Sequence, residues 1–159
     1  MRNNPFSSLL VKSICTFFFI GYLPLIPGTF GSLAGVGLFF LFHGGSSLGY
    51  FLLILCLAFL GMAASGKMER MLGRKDPGCI VIDEVVGMLI ALSFLPPDAK
   101  TVFLAFLMFR IFDTLKPFPA DRLQNLHGAA GIMGDDLVAG VYSNIVLQLV
   151  LKLNLSNIV

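Results

Sequence analysis

Cys79-Ile80-Val81-Ile82-Asp83-Glu84-Val85-Val86-Gly87-Met88-Leu89-Ile90 sets two adjacent carboxylates inside an otherwise apolar run. An ionised carboxylate at the centre of a membrane helix costs roughly 2.5–3.5 kcal/mol on insertion scales. One acid at a helix N-terminus has a purely structural account, because the helix dipole stabilises it there. Two in succession fit that account less well, and ionisable groups inside a membrane are functional by default. The fold therefore turns on whether the surrounding chain is a membrane chain.

Its composition says that it is. Of 159 residues, 57% are apolar and only 13% are charged, and the mean hydropathy is +0.89. Soluble domains carry about a quarter charged residues. A net charge of +2 offers no basic field for nucleic acid. Sixteen Phe and no Trp suit lipid contact and helix packing without a tryptophan belt. Cys15, Cys56 and Cys79 are dispersed and form no C-x-x-C pair, which argues against a disulfide framework or a zinc site. Arg2 and Lys12 precede an apolar stretch as in a signal peptide. Gly21 to Ser32 is not a small-residue cleavage site, however, and the segment is read as retained.

Outward from the acidic run, apolar segments cover residues 31–42, 48–64, 79–95, 101–112 and 137–151, with an aromatic stretch, 14–26, broken by Pro24 and Pro27. A full crossing needs about 20 residues. Twelve residues cover only ~18 Å, so 31–42 and 101–112 cross only if their flanks join the helices. The expectation is an all-α helical membrane bundle of four to five apolar segments, not all fully spanning, in a single domain over 1–159. Lys67, Arg70, Arg74 and Lys75 lie in loop 65–78, and Lys116 and Arg122 in loop 113–136. Basic loops tend to stay in the cytoplasm. If each segment reverses direction, both loops and the N-terminus lie on that side.

This topology gathers four polar clusters on one face. Asp135-Asp136 opens the last segment as Asp83-Glu84 opens its own. Neighbouring helical residues point about 100° apart, so one member of each pair reaches a shared ion while the other supports it. Gly87 and Gly140 follow Asp83 and Asp136 at i+4, where a missing side chain lets another helix approach closely. From Asp136 the same stripe runs through Asn144, Gln148 and Lys152; its far end reads equally as a buried or a solvated face. Arg110, Asp113 and Lys116 are spaced to meet on one helix side. They read either as a self-satisfied ion pair or as a phosphate fork at Arg110. Asp83, Glu84, Asp113, Asp135 and Asp136 give five negative charges against two positive. Such a cluster admits an anionic phosphate only with a hard cation, for which Mg²⁺ is usual; one ion or two both satisfy the count. His127, in a small-residue loop, is a candidate proton donor, although a lone loop histidine is more often just solvated. Gly28, Thr29, Gly31 and Ser32 open a helix either as a phosphate cradle or as a simple turn. There is no P-loop, H-E-x-x-H, G-x-S-x-G, Cys-x5-Arg or Asp-x-Asp motif.

Ile82-Asp83-Glu84-Val85-Val86-Gly87-Met88 resembles the acidic motif of the phosphatidylglycerophosphatase A family. So do Pro27-Gly28-Thr29-Phe30-Gly31-Ser32, Phe109 through Pro119, and His127 through Gly140, in order over most of Gly21 to Asn144. Ala129 departs from an expected glycine. The resemblance implies a Mg²⁺-dependent hydrolase of the bacterial inner membrane, with its site toward the cytoplasm. Its substrate would be phosphatidylglycerophosphate and its products phosphatidylglycerol and phosphate. Arg110, Lys116 and His127 would act on the phosphate, Gly28, Thr29, Gly31 and Ser32 would hold the headgroup, and the five acids would hold metal. A metal-dependent lipid phosphotransferase is the nearest enzymatic rival, and the paired-Asp signature of that class is absent. The alternative from another class is a small ion or proton transporter, whose carboxylates should line the bilayer midplane rather than one end.

Overall fold

The computed structural model describes residues 5–156; Arg2, counted above among the N-terminal charges, lies outside them. Among the described residues there are seven α-helices, one 3-10 turn at Ile20–Tyr22 and no strand. The helices are α1 (Pro5–Cys15), α2 (Pro27–Phe42), α3 (Ser47–Leu72), α4 (Ile82–Leu92), α5 (Ala99–Leu115), α6 (Ala120–Leu123) and α7 (Ala129–Ser156). The flanks do join: segment 31–42 grows to a helix of 16 residues and segment 101–112 to one of 17.

Local chemistry sets the ends. Pro27 starts α2 at a position where its missing N–H costs nothing. Ser46 caps α3 by accepting from the Gly49 amide at 3.0 Å. Gly73, at φ 62°, closes α3 in the left-handed region that glycine favours. Asp98 caps α5 through the Thr101 amide at 3.0 Å, and Lys116 leaves it at φ 45° before Pro117.

The bundle is organised around α4. This helix has 11 residues, nine of them buried, and at ~1.5 Å per residue spans only ~17 Å. Its C-terminal carbonyls end inside the protein and need partners. Asn144 of α7 donates to Ala91 O at 3.0 Å and Ser93 O at 2.7 Å. The Tyr50 hydroxyl donates to Leu89 O at 2.7 Å. The stripe on α7 therefore faces inward at Asn144, and Gln148 donates to Asn144 Oδ1 at 2.8 Å.

Glycines let the neighbours close on α4. A Cβ on Gly31 would lie 2.9 Å from Val81 Cβ, and one on Gly35 2.8 Å from Met88 Cβ, so α2 packs flush. On the other side Gly87 and Gly140 meet: a Cβ on Gly140 would strike the Gly87 carbonyl oxygen. The end of α1 is tied to the entry of α4 by the Val81 amide, which donates to Cys15 O at 2.9 Å.

The outside is apolar. Two of the described helices, α3 and α7, are long and apolar enough to cross a membrane. Only 11% of the most apolar stretch of α3 is buried, and 28% of that of α7. Core helices of a soluble protein would be mostly buried. Phe59, Ile145 and Leu149 are among the large side chains left exposed, and a face of that kind suits lipid rather than water.

Candidate active site

The starts of α2, α4 and α7 and the ends of α3 and α5 meet at one end of the bundle. Asp83 and Glu84 occupy the first turn of α4, and Asp136 lies about two turns into α7. One ligand oxygen from each lies within 4.8 Å of the others. The Gly87–Gly140 crossing explains the coincidence. Asp83 sits one turn before Gly87 and Asp136 one turn before Gly140, so contact between the glycines brings the acids to one level.

Asp83 Oδ1, Glu84 Oε2 and Asp135 Oδ1 are buried without a hydrogen-bond partner. Asp83 and Asp136 are only 6% and 4% exposed. Buried carboxylates in this condition are costly unless a cation satisfies them. All the donors are carboxylate oxygens, which suit a hard cation such as Mg²⁺ rather than a thiolate- or imidazole-seeking metal. The residues thus fit a metal ion of that class.

Beside the acids stands Arg110. Its Nη1 reaches Asp113 Oδ2 at 2.9 Å and donates to Ser32 Oγ at 3.4 Å, while Ser32 Oγ donates to Gly28 O at 3.0 Å. A side chain at Gly28 would strike Glu84 Oε1 and come within 3.4 Å of Arg110 Nη1. Gly28 and Ser32 thus border the acids: one leaves space for Glu84 and the other braces Arg110. Gly31 serves the packing of α2 on α4. Thr29 and Phe30 spend their amides on Ile26 O, at 3.1 and 3.3 Å, so these two amides are engaged in the turn itself.

The remaining candidates divide. Lys116 ion-pairs with Asp135. Asp113 lies close enough to interact with Glu84 and Asp136. His127 is exposed on the loop before α7, and none of the described hydrogen bonds or ion pairs links it to the acids. One neighbour of the acids escaped the sequence reading. Asp76, part of an Asp-Pro-Gly turn, lies near Asp83 and Asp135. Its loop is exposed, yet protein atoms crowd the carboxyl. That crowding, then repulsion from Asp135, raises it above the usual carboxylate range, against the pull of Lys116. In sequence an Asp before Pro-Gly signals only a turn.

Comparison with known proteins gives the family. The sequence profile of the family described as phosphatidylglycerophosphatase A matches residues 13–151. A Haemophilus influenzae protein named phosphatidylglycerophosphatase A is 38% identical over 153 residues, 92% of this chain and 94% of its own. The Escherichia coli protein of that name is 40% identical over 127 residues, 77% of this chain and 73% of its own. A Bacteroides thetaiotaomicron protein provisionally named a phosphatidylinositol-3-phosphatase is 37% identical over 148 residues, 88% of this chain and 92% of its own. No solved structure matches the chain.

Proposed function

Because this chain belongs to the phosphatidylglycerophosphatase A family and is therefore a phosphatase, we propose that it hydrolyses phosphatidylglycerophosphate to phosphatidylglycerol and phosphate with Mg²⁺ held by Asp83, Glu84 and Asp136. The observation that carries the metal assignment is the three-acid cluster with its unpartnered buried oxygens. Residues 1–159 act as one membrane-embedded domain in the bacterial inner membrane, with the acidic end toward the cytoplasm. Lys67, Arg70, Arg74 and Lys75, around the end of α3, support that orientation.

In the reaction, the oxygen of water joins phosphorus, the bond from phosphorus to the glycerol oxygen breaks, and the departing oxygen takes a proton. Bound at the three acids, Mg²⁺ would supply Lewis acidity toward the phosphate. Arg110 holds phosphate oxygens through its planar fork, braced by Ser32 and Asp113. Asp113 and Asp135 complete the acidic shell, and Lys116, paired with Asp135, limits its negative charge. His127, exposed to water on its loop, donates the proton to the leaving oxygen. Gly28, Thr29 and Ser32 form the wall against which the headgroup rests, and Gly31 holds that wall flush on α4. The acids gather at one end of α4 rather than along a path through the bundle, which favours an enzyme over a transporter.

The name of the Bacteroides relative supports a second reading, in which the phosphate monoester is on an inositol ring. Both readings are tested by phosphate release from the purified chain with phosphatidylglycerophosphate or phosphatidylinositol 3-phosphate. EDTA should abolish release and added Mg²⁺ should restore it. Full activity in a metal-free preparation would overturn the metal assignment, and a preference for the inositol lipid would replace the substrate.

A further inference from the structure

Beside the acidic site, on the α1 side of α4, runs an apolar groove of about 360 Å³. Leu10, Ile14, Phe17, Leu57, Leu60 and Ile82 line it, and no charged residue does. It comes closest in sequence to the acids at Ile82, which immediately precedes Asp83. The Ile82 side chain marks its level on α3: its Cγ1 lies 3.4 Å from where a Cβ on Gly61 would be. Leu57 and Leu60 precede Gly61 on a helix that ends at the acidic end, so the groove leads from the acids toward the middle of the bundle. Its rim is open to the apolar exterior, with Leu10 52% and Phe18 73% exposed. A second groove, of about 230 Å³, shares Leu10 and Ser13 with the first and is otherwise lined by Phe6, Leu9 and Phe19.

We propose that these two grooves seat the two acyl chains of the lipid substrate, with Leu10 and Ser13 as the wall between them. The occupant follows from continuity. A phosphate at Asp83, Glu84 and Asp136 has its glycerol a few ångströms away, and the apolar groove lined by Ile82 passes beside that position. Bulk lipid already solvates an acyl chain, so burial alone gains little in a membrane. The gain lies in orientation: a seated chain fixes the headgroup against the acids, and small misplacements of a reacting group cost large factors in rate. This proposal rests on the lipid-phosphatase reading above.

The test compares dioleoyl with dihexanoyl phosphatidylglycerophosphate in mixed micelles, using the full chain. Ser13→Phe narrows both grooves. The long-chain to short-chain ratio of kcat/KM should fall about tenfold or more relative to wild type. An unchanged ratio overturns the acyl seat while leaving the phosphatase reading intact. Failure of the wild type on both lipids overturns the phosphatase reading instead. Should Ser13→Phe be inactive on both lipids, photo-crosslinking of the wild type decides. A dioleoyl analogue with a diazirine midway along one chain should label residues 10–18 and 57–60. Label spread evenly over the lipid faces of α3 and α7 would mean bulk lipid only and sink the proposal.

Discussion

Asp83 and Glu84 meet at one site although they point about 100° apart on the helix. Of Asp135 and Asp136, Asp136 joins the cluster and Asp135 turns to Lys116. Asp83 and Glu84 both join it, with Glu84 reaching into the space left by Gly28. If these carboxylates hold a cation, Asp83→Asn and Asp136→Asn should each lower turnover on the order of 100-fold or more. Asn keeps the shape and removes the charge. Because the carboxylates are buried, their neutralisation should leave thermal stability equal or higher. Asp98→Asn, which retains an N-cap residue far from the cluster, should keep wild-type turnover. Near-wild-type turnover in both motif variants, measured beside melting in detergent, would return these acids to a structural role. Sequence spacing reports only neighbours on one helix, so the Arg110–Asp113 pair was legible. The partner of Lys116 was not, because the chain leaves α5 there in a left-handed turn. Asp76 was hidden for the same reason: only the fold brings its loop beside the acids.

At the scale of elements, α4 is the piece that the sequence half disclosed. Its acid pair and its glycine were visible as a motif, but residues 79–95 read as one apolar segment, whereas the helix covers only Ile82–Leu92. A short helix with buried ends depends on neighbours for its last carbonyls, and hydropathy carries no trace of that need. Asn144 supplies it from α7. Two variants separate anchoring from approach. Asn144→Leu strands two carbonyls and should cost about 1–3 kcal/mol of stability, while Asp83 and Glu84, at the other end of α4, keep their places and turnover is largely kept. Gly140→Ala puts a methyl against the Gly87 carbonyl. It should cost a similar ~1–3 kcal/mol and also shift Asp136, so that turnover falls with stability. Melting temperature and turnover in the same detergent measure both. Wild-type behaviour of Gly140→Ala would show that the helices do not depend on this contact.

The whole molecule is polarised along the bundle axis. One end holds the acids, Arg110, Lys116 and the basic residues around the end of α3; the other holds the loop after α2 and the loop between α4 and α5. That segregation was legible because hydropathy gives the segments and each reversal of direction fixes the parity of the next loop. The depth of each helix was not, because α2, α4 and α5 are shorter than a bilayer and are positioned by packing rather than by their own length. Parity is independent of depth and can be tested alone. Residues 65–72 belong to α3 and 129–136 to α7 rather than to loops, so a site shared by α4, α5 and α7 requires the connections 73–81 and 116–128 to emerge on one face. Their positive charge predicts the cytoplasmic face. Single cysteines at Lys75 and Arg122, in a background lacking Cys15, Cys56 and Cys79, should both react with an impermeant thiol reagent only after the cytoplasmic side is opened. A cysteine at Ser46, between α2 and α3, should react from outside. If the Lys75 and Arg122 positions labelled from opposite sides, Asp83 and Asp136 could not share an ion, and the acidic end would not exist as one site. If both labelled from outside, the site would survive intact but would face a different pool of lipid headgroups.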